Sequence, residues 1–232
     1  MKTRQTKQAK QHMQAAQGSG VQEQAYKSIA QASSAEIEEK KSRFIAHAAP
    51  VCTEEEALAF LQELKKEHPS ARHHVYAYVL RKDQRSRYSD DGEPQKTAGL
   101  PVLDLIKARG LSDIIIVVIR YFGGTLLGTG GLIRAYSLAA SQALAAAEIV
   151  DYQLCQDLIL HLPYNYYDQL VFLAGKHNAE LISTTYGQEV ELQLRFLAGE
   201  ERKLLCELEE LFKGDKPWRL TECSYKLFKA AG

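Results

Sequence analysis

The 232-residue chain has little that would staple or anchor it. Its four cysteines, Cys52, Cys155, Cys206 and Cys223, stand far apart with no Cys-x-x-Cys pair. That spacing argues against a disulfide framework or a paired-thiolate zinc site, and predicts free thiols in a reducing, cytoplasmic setting. No apolar run approaches the roughly 18 residues of a membrane-spanning helix, so no membrane partner is expected. The first residues lack the apolar stretch of a secretory signal. Net charge is zero, from 29 Lys+Arg against 29 Asp+Glu, so a general phosphate-backbone binder is disfavoured and no sequence-specific DNA partner is expected. The remaining composition, 45% hydrophobic and 25% charged, is that of an ordinary globular chain. It is long enough for one large or two medium domains, with no metal or cofactor needed to hold a core together.

The zero sum hides an uneven spread. Residues 1–50 carry 8 basic against 4 acidic side chains, 51–150 carry 12 against 12, and 151–232 carry 9 against 13. Residues 1–24 are polar and largely basic, and bury too little apolar surface to offset ordering entropy. They read as a disordered tail, with Gly18-Ser19-Gly20 resembling an expression linker.

The chain is organised around one stretch. Ile114-Ile115-Ile116-Val117-Val118-Ile119 is an uninterrupted β-branched run, predicting a strand buried on both faces. A glycine loop follows, with Gly123, Gly124, Gly128, Gly130 and Gly131 flanked by Arg120 and Arg134. From Leu132 to Ala147 an alanine-rich helix is expected. Amides at a helix start favour an anion, and two arginines beside them strengthen that reading. The stretch is neither a P-loop, which needs a lysine, nor a dinucleotide fingerprint, since Ile133 stands where a third glycine belongs. The competing account is a tight strand–helix turn.

Upstream, Lys41–Val51 reads as a strand and Thr53-Glu54-Glu55-Glu56 as a capping box opening a helix that stops at His68-Pro69. His73–Leu80 alternates and predicts a half-buried strand. His73 and His74 point to opposite faces, one packed and one solvated, and so do not share a metal. Arg81–Lys96 lacks apolar periodicity and reads as a basic loop with a turn at Asp91-Gly92. Thr97-Ala98-Gly99-Leu100-Pro101 opens a further helix. After Ala147 the pattern resets to βαββαβ: strands at Leu154–Leu162, Leu181–Tyr186, Val190–Phe196 and Trp218–Phe228, helices at Tyr167–His177 and Glu200–Phe212. That is the ferredoxin-like order. A domain boundary is expected near residue 150, giving domains at 25–150 and 151–232.

Three separated blocks carry a resemblance. Lys41-Ser42-Arg43-Phe44-Ile45-Ala46, Asp90-Asp91-Gly92-Glu93-Pro94 with Thr97-Ala98-Gly99-Leu100-Pro101, and Arg120-Tyr121-Phe122-Gly123-Gly124 through Gly128-Thr129-Gly130-Gly131-Leu132-Ile133-Arg134-Ala135-Tyr136 are similar to the IMPACT/YigZ family, in its bacterial two-domain form. The resemblance implies an α/β (α+β) fold in two domains. The N-terminal one would be like the second domain of a small-subunit ribosomal protein, with a left-handed βαβ crossover, and the ferredoxin-like C-terminal one like the last domain of elongation factor G. It also implies translation regulation, since eukaryotic members bind a ribosome-associated activator of an initiation-factor kinase. It assigns no catalytic roles.

Two functions of different class follow. In the first, the N-terminal domain binds RNA, the ribosome or a translation factor, through Arg72, Arg81, Lys82, Arg85 and Arg87, with Tyr76, Tyr78 and Tyr88 available for stacking. In the second, the protein is a hydrolase or transferase acting on a phosphorylated or anionic small molecule. Arg120, Gly123, Gly124, Gly128, Gly130, Gly131 and Arg134, with Thr97 and Gly99, would hold the anion, and Asp90, Asp91 or Glu93 would hold Mg²⁺ or act as base. A structural alternative pairs Arg120 and Arg134 with those carboxylates. The sequence leaves the oligomeric state open.

Overall fold

The computed structural model describes residues 25–82 and 84–228; the expected tail at 1–24 lies outside them. Eleven strands and five α-helices follow one another along these residues. Strands β1 (Ala25–Ile29), β2 (Ser33–Glu39) and β3 (Ser42–Pro50) lead into helix α1 (Glu54–Glu67). Then come β4 (His73–Leu80), β5 (Arg85–Ser89), α2 (Gly99–Ala108), β6 (Ile114–Tyr121) and α3 (Gly128–Ala145). The remainder is β7 (Ile149–Leu162), α4 (Tyr167–Lys176), β8 (Glu180–Tyr186), β9 (Val190–Leu197), α5 (Arg202–Leu211), β10 (Trp218–Leu220) and β11 (Ser224–Leu227).

Two sheets result. The first, in the order β2-β3-β6-β4-β5, is antiparallel throughout and has β6 at its centre. Period-two alternation decides its packing. Ile114, Ile116 and Val118 face one way, into a core with Leu103 and Ile106 of α2 and Ala135, Tyr136 and Ala139 of α3. Ile115, Val117 and Ile119 face the other, onto Ala57, Leu61 and Leu64 of α1. The β-branched run is thus covered by helices on both sides. Helix α1 begins as its sequence dictates: Thr53 Oγ1 accepts from the Glu56 amide at 3.2 Å, and Glu56 Oε2 accepts from the Cys52 amide at 2.7 Å.

The second sheet has β7 at its centre, with β9 and then β8 on one side and β10 on the other. The chain order β7-α4-β8-β9-α5-β10 is the expected βαββαβ. Its core is Leu158, Leu160, Leu162, Val190, Leu192, Leu194 and Phe196 beneath Leu170, Leu173, Leu204 and Leu208. The single strand expected at Trp218–Phe228 is broken into β10 and β11, which pair with different stretches of β7.

Strand β1 joins the two parts. It pairs with Ile149–Gln153 of β7, while Ser112 donates its amide to the Lys27 carbonyl at 2.9 Å and Ile29 is buried in the core of the first sheet. Gln153 pairs with both β1 and β11, and Cys155 with both β9 and β11, so β1 and β9 lie end to end along one edge of β7. The expected boundary near residue 150 falls inside β7.

Several expectations need correction. Arg81–Lys96 is not all loop: Arg85–Ser89 forms β5, ordered by pairing with β4. Gly128, Gly130 and Gly131 are not in the loop before α3 but in its first turn. His73 and His74 are both buried. Tyr78 is fully buried, so it offers no stacking face.

Candidate functional site

The site lies where β6 ends. Arg120 continues the even positions of β6 and therefore points toward α3, at the point where the core opens. It is 5% exposed. Its Nη1 donates to Glu93 Oε1 at 2.6 Å and its Nη2 to Ser42 Oγ at 3.4 Å, while Nε has no partner among the described residues. Phe44 and Phe122 lie against the guanidinium, with ring centroids 5.3 and 5.6 Å from Cζ.

Glu93 is carried there by the acidic turn. Asp91 and Gly92 both have positive φ, which turns the chain back toward β4. Asp90 Oδ1 accepts from the Ala98 and Gly99 amides and Oδ2 from the Lys96 amide, so its carboxylate caps the start of α2. Asp91 Oδ2 accepts from the His74 amide at 2.6 Å. The Asp91 carbonyl meets His73 Nδ1 at 2.7 Å. A carbonyl only accepts, so Nδ1 carries a proton and the other ring nitrogen, Nε2, faces Glu93 Oε1 at 3.8 Å. Tyr136 donates to the same Glu93 oxygen at 2.8 Å. Burial, reinforced by the Glu93 charge, pushes the Tyr136 phenol far above its ordinary pKa, so it stays protonated and donates.

Beside this network is a cleft of about 330 Å³, walled by Arg120, Glu93 and His73 on one side and by Leu126, Leu127, Gly128, Thr129 and Leu132 on the other. Arg72 and Phe122 flank its mouth. The Arg72 guanidinium lies 5.3 Å from the Phe122 ring centroid. Its backbone amide donates to the Arg120 carbonyl at 3.0 Å, and its side chain makes no ion pair among the described residues. Helix α3 starts uncapped: Leu127 offers no side-chain acceptor and the first turn holds no acid. Its first amides keep their partial positive charge.

The structure sorts the expected anion-site residues. Arg120 and Gly128 line the cleft together with Glu93 and Arg72. Gly123 packs on β3, its amide donating to Ser42 Oγ at 3.1 Å. Gly124 has a positive φ, and Gly130 has open space around it. Gly131 packs on the Leu127 side chain. Thr97 and Gly99 are removed from the site: the Thr97 hydroxyl and amide both donate to Pro94, and the Gly99 amide is spent on Asp90. Arg134 is exposed on α3, outside the cleft wall and unpaired with the acidic turn. Thus the expected carboxylate pairing forms for Arg120 alone.

The expected RNA contacts are largely occupied. Arg85 and Arg87 both bind Glu54, which also accepts from the Tyr78 hydroxyl. Arg81 is bound to Asp113 and stacked on Tyr225 and Tyr26, at 3.8 and 4.7 Å. Lys82 is exposed. Ser42, His73, Phe122, Leu126 and Tyr136 also build the site, although their sequence context assigns them no binding role. A signal for Phe122 and Leu126 was present, since large apolar side chains in a glycine loop have no helix or strand to bury them.

Comparison with known proteins identifies the family. A family profile described as the Impact N-terminal domain matches residues 40–144, which include every residue of the cleft. YigZ of Escherichia coli (strain K12) is 35% identical over 178 residues, covering 75% of this chain and 87% of that protein. The chain belongs to the IMPACT family. YvyE of Bacillus subtilis (strain 168), another IMPACT family member, is 44% identical over 142 residues, 61% of this chain and 64% of that one. This chain thus spans just under two thirds of YvyE. A crystal structure described as that of a hypothetical protein is 33% identical, covers 85% of this chain and 97% of its own, and superposes with a TM-score of 0.59. Among the described residues of this IMPACT family chain, no helix is long and apolar enough to cross a membrane.

Proposed function

We propose that the protein is a cytoplasmic, translation-associated binding protein whose N-terminal part receives an anionic group of the translation machinery in the cleft between β6 and α3. The observation that carries this reading is Arg72: an exposed guanidinium, unpaired among the described residues, held over Phe122 at the mouth beside the uncapped start of α3. Family membership supports the translation setting, because the resemblance set out above implies translation regulation for the eukaryotic members. Two finer likenesses belong to the same reading. The first sheet with its β3-α1-β4 crossover would correspond to the second domain of a small-subunit ribosomal protein, and the βαββαβ part to the last domain of elongation factor G.

The enzyme alternative has less support. The carboxylates that would hold Mg²⁺ or act as base are engaged: Asp90 and Asp91 with backbone amides, Glu93 with Arg120 and Tyr136. Co-sedimentation with purified ribosomes tests the binding reading. The protein is expected to pellet with ribosomes, and Arg72→Glu to reduce the bound fraction at least tenfold without changing the melting temperature. Absence of the protein from the pellet, or binding indifferent to Arg72→Glu, overturns it.

A further inference from the structure

Resting on that reading, we propose that the cleft takes a protein segment in which a carboxylate stands beside a large apolar side chain, an acidic–apolar peptide, and not a nucleic-acid backbone. Four observations support this occupant. The first is the supply of positive charge. Arg81, Arg85 and Arg87 are bound to Asp113 and Glu54, and of the two arginines lining the cleft Arg120 is paired with Glu93, so Arg72 alone stands there without an ion pair among the described residues. Arg72 and the α3 amides form one local positive spot, enough for one carboxylate.

The second is the apolar surface at that spot. Leu126 is 83% exposed and Phe122 38%, with Leu127 and Leu132 behind them. A side chain that large, so exposed beside a cleft, is suited to cover an apolar group of a partner. The third is Glu93. Its carboxylate already holds the Arg120 guanidinium, so the wall has no second free cation for a further phosphate, whereas a single carboxylate can sit at the Arg72 side. The fourth is Arg120, 5% exposed, whose Nε has no partner within the described residues. That buried, incompletely satisfied guanidinium stands in the cleft wall. The volume, about 330 Å³, suits one large side chain with its neighbouring carboxylate.

The occupant is a segment of a partner protein, bound by helix-start amides and one guanidinium at its acidic residue and by Leu126 and Phe122 at its apolar one. Fluorescence anisotropy with labelled ten-residue probes tests it on the full chain. The probes are a peptide alternating glutamate with leucine, the same peptide with glutamine for glutamate, the same with serine for leucine, and a ten-nucleotide oligouridylate. Tightest binding is expected for the glutamate–leucine peptide, with each altered peptide at least tenfold weaker. Arg72→Glu and Leu126→Ser, both at exposed positions, should each weaken the parent peptide at least tenfold. If the oligouridylate binds more tightly than the peptide and Arg72→Glu abolishes that binding, the anion cleft stands and the peptide assignment falls. If Arg72→Glu alters neither probe, the cleft is not a binding surface and both readings fall.

Discussion

At the scale of single residues, the side chain that shapes the site is Glu93. Its Oε1 accepts from Arg120 and Tyr136, and both partners are buried. Removing one member of a buried pair strands the other charge, at a cost of about 3–5 kcal/mol. Glu93→Gln should therefore lower unfolding free energy by about that much in urea titration, with little change in slope; a change below about 1 kcal/mol would show that the pair is not buried in solution. Two glycines give an opposed pair of outcomes. A Cβ on Gly123 would stand 2.0 Å from the Lys41 carbonyl carbon, so Gly123→Ala must push β3 and the loop apart. A Cβ on Gly130 meets nothing within 4 Å, and the residue lies in the first turn of α3 with a negative φ. Gly130→Ala should be neutral or stabilise by up to about 1 kcal/mol. Thermal melts of the two variants check this, and equal effects would contradict the packing described.

At the scale of elements, β7 carries a charge cluster with a definite pH signature. Burial pushes the Asp157 carboxyl up, but bonds from Arg195, Lys226 and Gln193 outweigh it and hold the pKa at about 2. An unfolded aspartate titrates near ~3.9. The folded value is the lower one, so this stabilisation is complete above pH ~4 and fades as pH falls toward 2. Asp157→Asn should lower stability at neutral pH and flatten its decline between pH ~4 and 2; a decline as steep as in the parent protein would assign the acid sensitivity elsewhere. Elements whose signals are local were legible in the sequence. The β6 run and the α1 capping box declare themselves within six residues. Strand β5 did not, because Arg-Ser-Arg-Tyr-Ser has no apolar alternation and is ordered by β4. Arg85 and Arg87 lie two apart, so on a strand they share a face, which is how one glutamate, Glu54, collects both. The site was half legible for the same reason. Arg120 and Glu93 were marked by motif, but Arg134 was placed by nearness in sequence, and a helix turned it away. Arg72 and Phe122 meet only because β4 pairs with β6.

At the scale of the whole molecule, the expected domain division remains a proposal, now with a sharper test. The strand β7 runs through the boundary, paired with β1 over 149–153 and with β11 over 152–155, so limited digestion with proteinase K, which cuts after most residue types, should spare 149–162. Cleavage is expected first near Lys82, in the exposed β4–β5 hairpin, or near Lys213 and Lys216 ahead of β10. Early cutting inside β7 would mean that it does not join the two parts.

The place of β1 has a consequence for anyone shortening the chain. Five residues, Ala25–Ile29, occupy an edge of β7 that β9 does not reach. A truncation starting at residue 31 would leave Ile149–Gln153 with bare amides and carbonyls, and would uncover Ile149, already 44% exposed. Such a strand recruits its like. The shortened protein should elute as dimers or larger species on size exclusion, increasingly so at higher concentration, where the full chain's profile stays unchanged. Losing β1 would turn the open edge of β7 into a template for copies of itself.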